Sequence, residues 1–437
     1  MKTARQIAVE LLLEVNNNGG YSNIVLDKAL KNSEIPKEEK GFCSALFYGV
    51  LENKLLIDHV IKKYSKVKIN KISKEVMEIL RISIYQLLFM ENIPISAVVN
   101  EGVKLTKTFR VASASGFVNA ILRGFIRDEK KIPFIDKKHI DSYLSVKYSC
   151  NIDIIKLLLS QYDKKEVEAF VKYCNCQTGS YIKVNTTKTS ADSLAKSLLD
   201  KGIMAKKDTS VENCIYIKNQ GAVANIDEFR DGLFHIEDKS SQMCVRLVAA
   251  KSTERILDTC SAPGGKTFAM AEDMDGKGEI ISCDIHEHKI KLIDDGAKRL
   301  GLKNVFPRLN DAAVFNEELG LFDKVLCDVP CSGLGIMGKK PEIKYKDPKD
   351  FEDLPKIQYN ILKNSSQYLK VGGILVYSTC TINKNENEKV IQRFLEENEN
   401  YAPLFLEGHK DGSFMTTFLP MEYDCDGFFT ATLVKKK

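Results

Sequence analysis

Short apolar runs alternate with helical patterns from about Glu237 to the end of this 437-residue chain, and this alternation constrains the fold more than any other feature. The runs that predict strands are residues 255–259, 279–283, 305–309, 322–327, 374–378 and 428–434. An amphipathic pattern over residues 288–300 predicts a helix after the second strand. Alternation of this kind is typical of a doubly wound, mostly parallel sheet. Such sheets bind ligands beyond the carboxyl ends of their strands, so the residues that follow each strand are candidates for chemistry.

The chain before this region has a different character. Residues 1 to about 130 carry apolar stripes at helical spacing, for example over residues 76–87, and predict an all-helical bundle. A charged connector at 130–138 leads to residues 140–235, where short helices and strands mix in a small α/β module. A chain of this length needs more than one hydrophobic core. We therefore expect three domains: a helical bundle over 1–135, a linker and small α/β module over 136–236, and the doubly wound domain over 237–437.

The charge is distributed unevenly along the chain. Residues 1–140 hold 23 Lys and Arg against 15 Asp and Glu, a net charge of +8, whereas the remainder has a net charge of −3. A basic N-terminal part and a near-neutral remainder are typical of a nucleic-acid-binding module attached to an enzyme. A lysine-rich surface that is merely well solvated would give the same numbers, so charge alone leaves both interpretations open.

Other bulk features narrow the class of protein. No apolar run reaches membrane-spanning length, and the N-terminus carries no signal-peptide core, so we expect a cytoplasmic protein without a membrane partner. The 12 cysteines are scattered, and the close pair Cys174 and Cys176 lacks a second half, so no metal site is predicted.

A glycine-containing turn follows the first predicted strand, at residues 258–267 (Asp-Thr-Cys-Ser-Ala-Pro-Gly-Gly-Lys-Thr). Its spacing fits neither a P-loop nor a dinucleotide fingerprint, but a nucleoside that bears an amino acid, as in S-adenosylmethionine, suits such a turn. Asp284 ends the second strand, where a carboxylate can accept both ribose hydroxyls or can simply cap the next helix. Asp311 follows the third strand and can receive an adenine amino group or serve as a plain turn residue.

Two cysteines follow later strands. Cys331 stands in the sequence Asp328-Val-Pro-Cys-Ser-Gly, and Cys380 in Ser-Thr-Cys-Thr. A thiolate that adds to C6 of cytosine, helped by Asp328 near N3, makes C5 nucleophilic enough to attack a sulfonium methyl group. Any single cysteine is most simply a small buried hydrophobe, but two in polar loops at strand ends favour chemistry. Spacing alone does not decide which thiol attacks.

These motifs closely resemble the RNA cytosine-C5 methyltransferases of the NOL1/NOP2/Sun group. The helical region, including residues 116–123, looks like a NusB-type RNA-binding domain, and with Asp426-Gly-Phe-Phe the whole chain resembles the bacterial members that act on 16S rRNA. The resemblance implies a NusB-like bundle, a small α/β module and a Rossmann-like methyltransferase domain. It also implies transfer of a methyl group from S-adenosylmethionine to cytosine 967 of 16S rRNA by a monomer acting on protein-poor RNA.

The resemblance also assigns roles that spacing leaves open. It makes Cys380 the nucleophile and Cys331 the thiol that aids release, with Asp328 as the third catalytic residue. The residues that it implies for the S-adenosylmethionine site are Cys260, Ser261, Ala262, Pro263, Gly264, Gly265, Lys266, Asp284, Asp311 and Asp328.

The chain departs from the family pattern at residues 338–345, where Gly-Lys-Lys-Pro-Glu-Ile-Lys-Tyr replaces an Arg-rich stretch that ends in Trp. Cationic contact to RNA is expected to survive there through lysines, with less specificity than arginine forks give. Two alternatives remain at this point: the same chemistry on tRNA, and a ribosome-assembly RNA-binding factor that has the fold without turnover.

Overall fold

The computed structural model describes residues 2–18, 22–176, 179–218 and 223–437. The chain forms two compact units. The first, here called the helical unit, comprises Met1–Asn175 and Met337–Pro348, and the second, the sheet unit, comprises Cys176–Ile336 and Lys349–Lys437. No helix of the described ranges is long and apolar enough to cross a membrane.

The helical unit confirms the predicted bundle. Its helices are α1 (Ala4–Asn18), α2 (Ser22–Lys31), α3 (Lys37–Tyr64), α4 (Lys74–Phe89), α5 (Ile95–Thr108), α6 (Ser115–Arg127), α7 (Ile140–Tyr148), α8 (Ile152–Leu159) and α9 (Lys164–Cys174). The predicted stripes of α1, α3 and α4 pack with apolar residues of α5 and α6 in one core, and α4 is buried along most of its length. The predicted connector over 130–138 is irregular.

A buried ion-pair cluster fixes the register of α3 and α4. The Arg81 guanidinium donates two hydrogen bonds to the Asp58 carboxylate, both at 2.8 Å, and one to Glu78 Oε1 at 2.6 Å. Glu78 is 2% exposed. Bidentate pairing of this kind compensates the desolvation of the charges, so the cluster is stable only with all its members present.

Residues 337–348 belong to the helical unit although they stand between strands of the sheet in the sequence. The Ser22 hydroxyl donates to Glu342 Oε2 at 2.7 Å, and the Tyr345 hydroxyl donates to the Leu51 carbonyl. Lys344 is 1% exposed and donates to Asn175 Oδ1. The expectation that this stretch offers its lysines to RNA is therefore wrong for Lys344, because its ammonium is buried against protein acceptors.

The sheet unit begins with a four-stranded antiparallel sheet in the order β2-β3-β1-β4. Its elements are β1 (Ser180–Val184), α10 (Ala191–Asp200), β2 (Met204–Lys207), β3 (Cys214–Lys218), α11 (Asp227–Arg230) and β4 (Phe234–Ile236). The small α/β module predicted for this part of the chain is thereby confirmed, and β2 and β4, which are short, were not foreseen.

The larger sheet has the order β10-β12-β9-β8-β5-β6-β7, with β11 also paired to β12. Its elements are α12 (Lys239–Val248), β5 (Arg255–Asp258), α13 (Gly265–Asp273), β6 (Glu279–Asp284), α14 (Glu287–Leu300), β7 (Val305–Leu309), β8 (Phe322–Asp328), α15 (Leu354–Gln367), β9 (Leu369–Thr379), α16 (Glu388–Glu397), β10 (Tyr401–Pro403), β11 (Met415–Phe418), α17 (Pro420–Tyr423) and β12 (Phe428–Lys435). Strands β5 to β9 are parallel, as predicted, and β10 to β12 add an antiparallel edge. All five parallel strands therefore end at one edge of the sheet.

Candidate active site at the carboxyl ends of the strands

The two candidate thiols lie side by side. Strands β8 and β9 are parallel neighbours in which Asp328 pairs with Ser378, so the loops that follow them start level with each other. Cys331 lies three residues beyond β8, Cys380 directly follows β9, and their Sγ atoms are 3.3 Å apart. Both residues are half-buried. The register of one strand pair thus brings together two thiols that are 49 residues apart in the sequence.

The hydrogen bond with Cys380 and burial raise the pKa of the Cys331 thiol well above its ordinary value, and the Glu386 carboxylate adds to the shift. Cys331 therefore keeps its proton at neutral pH and can donate it toward the neighbouring sulfur. A thiol that donates to a second sulfur stabilises the thiolate form of that second group.

Glu386 holds the two cysteine loops together. It is fully buried, and its Oε2 accepts the backbone N–H of Ser332 at 2.8 Å and the Gln358 amide at 2.9 Å. Its Oε1 accepts the Asn383 amide at 2.9 Å. Because Ser332 follows Cys331 directly and Asn383 lies three residues beyond Cys380, one carboxylate links both loops. A hydrogen bond of 2.8 Å between the hydroxyls of Ser332 and Thr381 makes a second link.

A close approach of two glycines fixes the far side of the Cys331 loop. The Gly335 N–H donates to the Cys380 carbonyl at 3.1 Å, and the Gly427 N–H donates to the Gly335 carbonyl at 2.9 Å. A Cβ on Gly335 would lie 1.8 Å from the Gly427 carbonyl oxygen, so no larger residue fits there. The Asp-Gly-Phe-Phe sequence at the start of β12 therefore holds the loop that carries Cys331 in place.

Asp328 is held by two donors in this structure. Its Oδ2 accepts from Lys266 Nζ at 2.8 Å, and its Oδ1 accepts from the Ser378 hydroxyl at 2.7 Å. Burial by itself would lower the pKa of Lys266, but the Asp328 carboxylate outweighs it and raises that pKa above its ordinary value. The ion pair therefore joins the glycine turn to the end of β8.

The glycine turn between β5 and α13 has the backbone conformation that its sequence predicts. Gly264 has a φ of +111° and caps α13, and a Cβ there would collide with the Phe268 ring at 2.3 Å. The Ser261 hydroxyl donates to the Cys283 carbonyl at 2.9 Å, so it fastens the turn to β6 and does not point freely at a ligand. Cys260 is half-buried and packs against the sheet core, and burial raises the pKa of its thiol.

The two carboxylates predicted to receive a nucleoside lie at neighbouring strand ends. Asp284, 6% exposed, is the last residue of β6; its Oδ1 accepts the His286 N–H at 3.0 Å, and Lys289 lies 3.4 Å from its Oδ2. Helix α14 is capped by His286, so Asp284 is not its N-cap residue. Asp311 is exposed, and its Oδ1 accepts the Ala313 N–H at 2.9 Å. Both carboxylates can still accept hydrogen bonds from a ligand. Two acceptors at neighbouring strand ends suit hydroxyl and amino groups better than a metal ion.

Sequence reasoning missed several residues at this edge. Glu386 stands in an Asn-rich stretch that reads only as the start of a helix, and Gln358 lies in α15, far from any motif. Asp258 was seen only as part of the turn, but it is 1% exposed and accepts the Thr267 hydroxyl at 2.6 Å, and burial raises its pKa to about 7. The only sequence signal for Asp258 was its position at the end of an apolar strand.

Three family models match successive parts of the chain. Residues 2–127 match the NusB family, and residues 154–224 match the ferredoxin-like domain of RsmF/B-like methyltransferases. Residues 245–434 match the 16S rRNA methyltransferase RsmB/F model. The chain is also 34% identical over 448 residues, 99% of each chain, to the probable ribosomal RNA small subunit methyltransferase B of Bacillus subtilis (strain 168). The chain belongs to this methyltransferase family.

One further relative matches the full length of the chain, and two solved structures share the fold. The ribosomal RNA small subunit methyltransferase B of Escherichia coli (strain K12) is 28% identical over 439 residues, covering 100% of this chain and 99% of its own. The crystal structure of PH0851 has the same fold, with a TM-score of 0.84 at 24% identity over 100% of this chain and 99% of that chain. The crystal structure of NSun6 from Pyrococcus horikoshii with SFG shares the fold over 65% of this chain and 97% of that chain, at 21% identity and a TM-score of 0.59.

Membership of the family fixes the fold and the methyl donor. The chain combines a NusB domain, a ferredoxin-like module and a methyltransferase domain built on a mixed sheet. It is an S-adenosylmethionine-dependent methyltransferase of the ribosomal RNA class, and S-adenosylmethionine supplies the methyl group. The glycine turn, with Gly264 at positive φ, and the carboxylates at the ends of β6 and β7 are compatible with this donor.

Proposed function

We propose that this protein methylates C5 of a cytosine in 16S rRNA, cytosine 967 by the family resemblance, through a covalent bond between Cys380 and C6 of the base. The single observation that carries the proposal is the 3.3 Å separation of the Cys331 and Cys380 sulfurs at the edge where the parallel strands end. An oxygen or exocyclic nitrogen can attack the methyl group by itself, so its methylation needs no nucleophile from the protein. C5 of cytosine can attack only after a protein nucleophile has added to the ring.

The reaction begins with Cys380. Its thiolate forms a bond to C6, the π pair of the C5–C6 bond shifts between C4 and C5, and the C4–N3 π pair moves onto N3. C5 of the resulting enamine is nucleophilic. Asp328 lies three residues before Cys331, and its carboxylate is proposed to accept a hydrogen bond from N3 once N3 has taken up a proton, which favours this shift. S-adenosylmethionine would supply the methyl group that C5 attacks. Its sulfur would keep the electron pair of the broken S–CH₃ bond.

Release depends on Cys331. Cys331, whose sulfur lies 3.3 Å from that of Cys380, is proposed to be the base: it loses its own proton to solvent and then takes the proton from C5. The electrons of the C5–H bond restore the C5–C6 double bond, and the C6–S bond breaks to return Cys380 as a thiolate. The products are 5-methylcytosine, S-adenosylhomocysteine and one released proton.

The remaining site residues are proposed to bind the donor. Asp284 would accept the ribose hydroxyls, and Asp311 the adenine amino group. Cys260 to Lys266 would surround the amino-acid part through backbone groups, since the side chain of Ser261 is engaged with β6. The Lys266 ammonium, already paired with Asp328, would link the donor site to the base site.

We also propose that the chain works as three functional segments, at 1–135, 136–236 and 237–437, with the basic first segment binding RNA. The target base must be unstacked to reach both thiols, so single-stranded or loosened RNA is the expected substrate. Limited proteolysis tests the boundaries: cleavage between residues 128 and 139 and near residue 236 supports them, and protection at both positions contradicts them.

Methyl transfer from tritium-labelled S-adenosylmethionine to protein-free 16S rRNA, followed by nucleoside analysis, tests the activity. Labelled 5-methylcytidine in 16S rRNA and not in tRNA is the expected result. Label in tRNA alone would move the substrate to tRNA, and no label under any salt condition would leave an RNA-binding assembly factor.

The roles of the thiols have a separate test. Cys331→Ala should accumulate a protein–RNA adduct that survives denaturation, because addition proceeds and release stalls. Cys380→Ala should give neither adduct nor product. An adduct in the Cys380 variant alone would reverse the two assignments.

A further inference from the structure

The helical unit carries a strongly basic stretch, residues 62–74, here called the lysine segment. It runs from the end of α3 to the start of α4, and no acidic residue occurs between Asp58 and Glu75. Its lysines are all exposed: Lys62, Lys63, Lys66, Lys68, Lys71 and Lys74. None of the six forms a salt bridge within the described part of the chain. Six unpaired cations on 13 residues repel one another, so an external anion lowers the free energy of this surface.

Backbone hydrogen bonds hold the segment in a defined shape. The Ser65 hydroxyl donates to the Val67 carbonyl at 2.6 Å, the Lys71 N–H donates to the Lys68 carbonyl at 2.8 Å, and the Ser73 hydroxyl caps α4. The cations are thus presented at fixed positions, which suits a ligand with repeated negative charges.

A cavity of about 590 Å³ lies next to this segment, within the same unit. Lys62 and Ile69 of the segment are part of its wall. The rest of the wall comes from α3, α7, the start of α8 and the ring of Tyr345. Cavities of about 300–1,000 Å³ are typical of small-molecule sites, and this wall is mainly apolar, as a flat aromatic ligand requires.

One polar atom in the wall lacks a partner. His59 Nε2 is buried and makes no hydrogen bond to any residue that the structure describes, although His59 lines the cavity. Lys54, by contrast, is engaged: it donates to Asn16 Oδ1 at 2.8 Å and lies 4.6 Å from the centre of the Tyr345 ring. A buried ring nitrogen without a partner costs about 1–3 kcal/mol, which a ligand with a complementary polar edge would remove.

We propose that the lysine segment and this cavity bind single-stranded RNA, with phosphates on the lysines and one unpaired base inside the cavity. The inference rests on the proposed function, because it makes RNA the polyanion. A base that is turned out of its strand is bound by apolar walls, an aromatic ring and a polar atom without a partner, and this cavity has all three. Base-paired RNA has no such base to offer.

Charge reversal tests the phosphate contacts. Lys66→Glu, Lys68→Glu and Lys71→Glu together should raise the dissociation constant for a single-stranded RNA more than tenfold, measured by fluorescence anisotropy. The slope of log K against log salt should fall by about 2, since each contact on a single strand contributes about 0.7. The control carries Lys28→Glu, Lys107→Glu and Lys130→Glu, three exposed lysines elsewhere in the unit. An equal loss in the control, or an unchanged slope, overturns the phosphate assignment.

Filling the cavity tests the base contact. Ser142 is exposed on α7 and lines the cavity, so Ser142→Trp should block entry without disturbing the core. It should weaken binding of the single-stranded RNA severalfold, with the same slope of log K against log salt as in the wild type. Binding of a double-stranded RNA should not change. The fluorescence change of a 2-aminopurine base in the single-stranded RNA should disappear. Equal fluorescence changes in the wild type and in the Ser142→Trp variant would mean that no base enters the cavity. If the wild type binds an unstructured acidic peptide tightly and Ser142→Trp abolishes that binding, the cavity binds protein and the proposal is wrong.

Both binding tests are done without S-adenosylmethionine, so they are independent of the methyl-transfer chemistry. Adduct formation in Cys331→Ala at saturating RNA separates the two proposals. If the triple Lys→Glu change, combined with Cys331→Ala, weakens RNA binding but leaves adduct formation normal at saturating RNA, the RNA site is supported. If RNA binds as expected but Cys331→Ala forms no adduct, only the proposed function fails.

Discussion

Two buried carboxylates of this protein, one in each unit, are stabilised in different ways. Glu78 in the helical unit is 2% exposed and pairs with the Arg81 guanidinium at 2.6 Å, although burial still raises its pKa. Glu386 in the sheet unit is fully buried and has no salt-bridge partner among the described residues; its charge is met by one backbone and two amide N–H groups. The first pair lies within α4 and is linked to α3 through Asp58, whereas the second arrangement joins two loops that carry thiols.

The difference indicates what each carboxylate is for. In the Arg81 cluster the rigid helices supply the geometry, and the charges mainly compensate one another's burial. Three directional hydrogen bonds to one carboxylate lose their strength within a few tenths of an ångström and therefore fix geometry. Loss of Glu78 or Arg81 should act on stability, and loss of Glu386 should act on the reaction.

The largest effect is expected from Arg81→Met, which leaves Glu78 without its cation inside the helical unit. It should lower the stability of that unit by about 3–5 kcal/mol, measured by hydrogen exchange of the α4 amides. Arg81→Met combined with Glu78→Leu should recover part of the loss, because the more deeply buried carboxylate is then gone while Asp58 still lacks its partner. A loss below about 1 kcal/mol in the single variant would show that the ion pair does not hold the helices.

Glu386→Gln tests the other half of the comparison, with Glu78→Gln as its matched control. Both changes are isosteric, but the amide nitrogen introduced by Glu386→Gln would face one of three donors and displace the cysteine loops. Single-turnover methyl transfer at saturating RNA should slow about 10²-fold, as for a displacement near 1 Å. Glu78→Gln should leave the rate of the folded protein unchanged and reduce only its stability. Equal rates in the two variants would remove Glu386 from the positioning role.

The sequence predicted most of the architecture and the residue types of the site. The alternation after Glu237 gave every parallel strand because each is an apolar run bounded by turn residues, and the stripes of the first 130 residues gave the bundle. Strands β10 and β11 were missed, since three or four residues at a sheet edge carry no measurable periodicity. Residues 337–348 could not be placed in the helical unit, because nothing in their sequence indicates their partners.

Polar networks were the least predictable part of the site. Asp328, Cys331 and Cys380 stand out because reactive side chains follow strands. Glu386 does not, because its function depends on donors from three separate parts of the chain. The order of action of the two thiols also has no basis in spacing, since the register of β8 and β9 places them as equals.

Asp258 provides a pH-dependent contrast within the sheet unit. Burial raises its pKa to about 7, above the value near 4 in an unfolded chain, so its contribution to stability is present below pH 4 and is lost as pH rises toward 7. Asp258→Asn should therefore gain stability over the wild type between pH 4 and 7, by more than about 1 kcal/mol in thermal unfolding.

Asp323 has the opposite sign and is the control. Its pKa is lowered because hydrogen bonds from Lys370 and the Arg255 N–H outweigh its desolvation, so its contribution is lost as pH falls. Asp323→Asn should lose stability at neutral pH and approach the wild type in acid. Parallel pH profiles for the two Asn variants would contradict the assignment of either shift.

The smallest effect is expected in the helical unit, at Gly41 of α3. Nothing lies within 4 Å of the position that a Cβ would occupy there, so Gly41→Ala should stabilise the helix by about 0.5–1 kcal/mol. Gly49 in the same helix is the matched control, because its Cβ would lie 1.9 Å from the Tyr85 ring, and Gly49→Ala should destabilise the unit. Neither change touches a thiol loop, so the methyl-transfer rate of the folded protein should stay constant in both. A change of rate without a change of stability would show that α3 affects the reaction directly, and the division between a structural and a positioning carboxylate would then need revision.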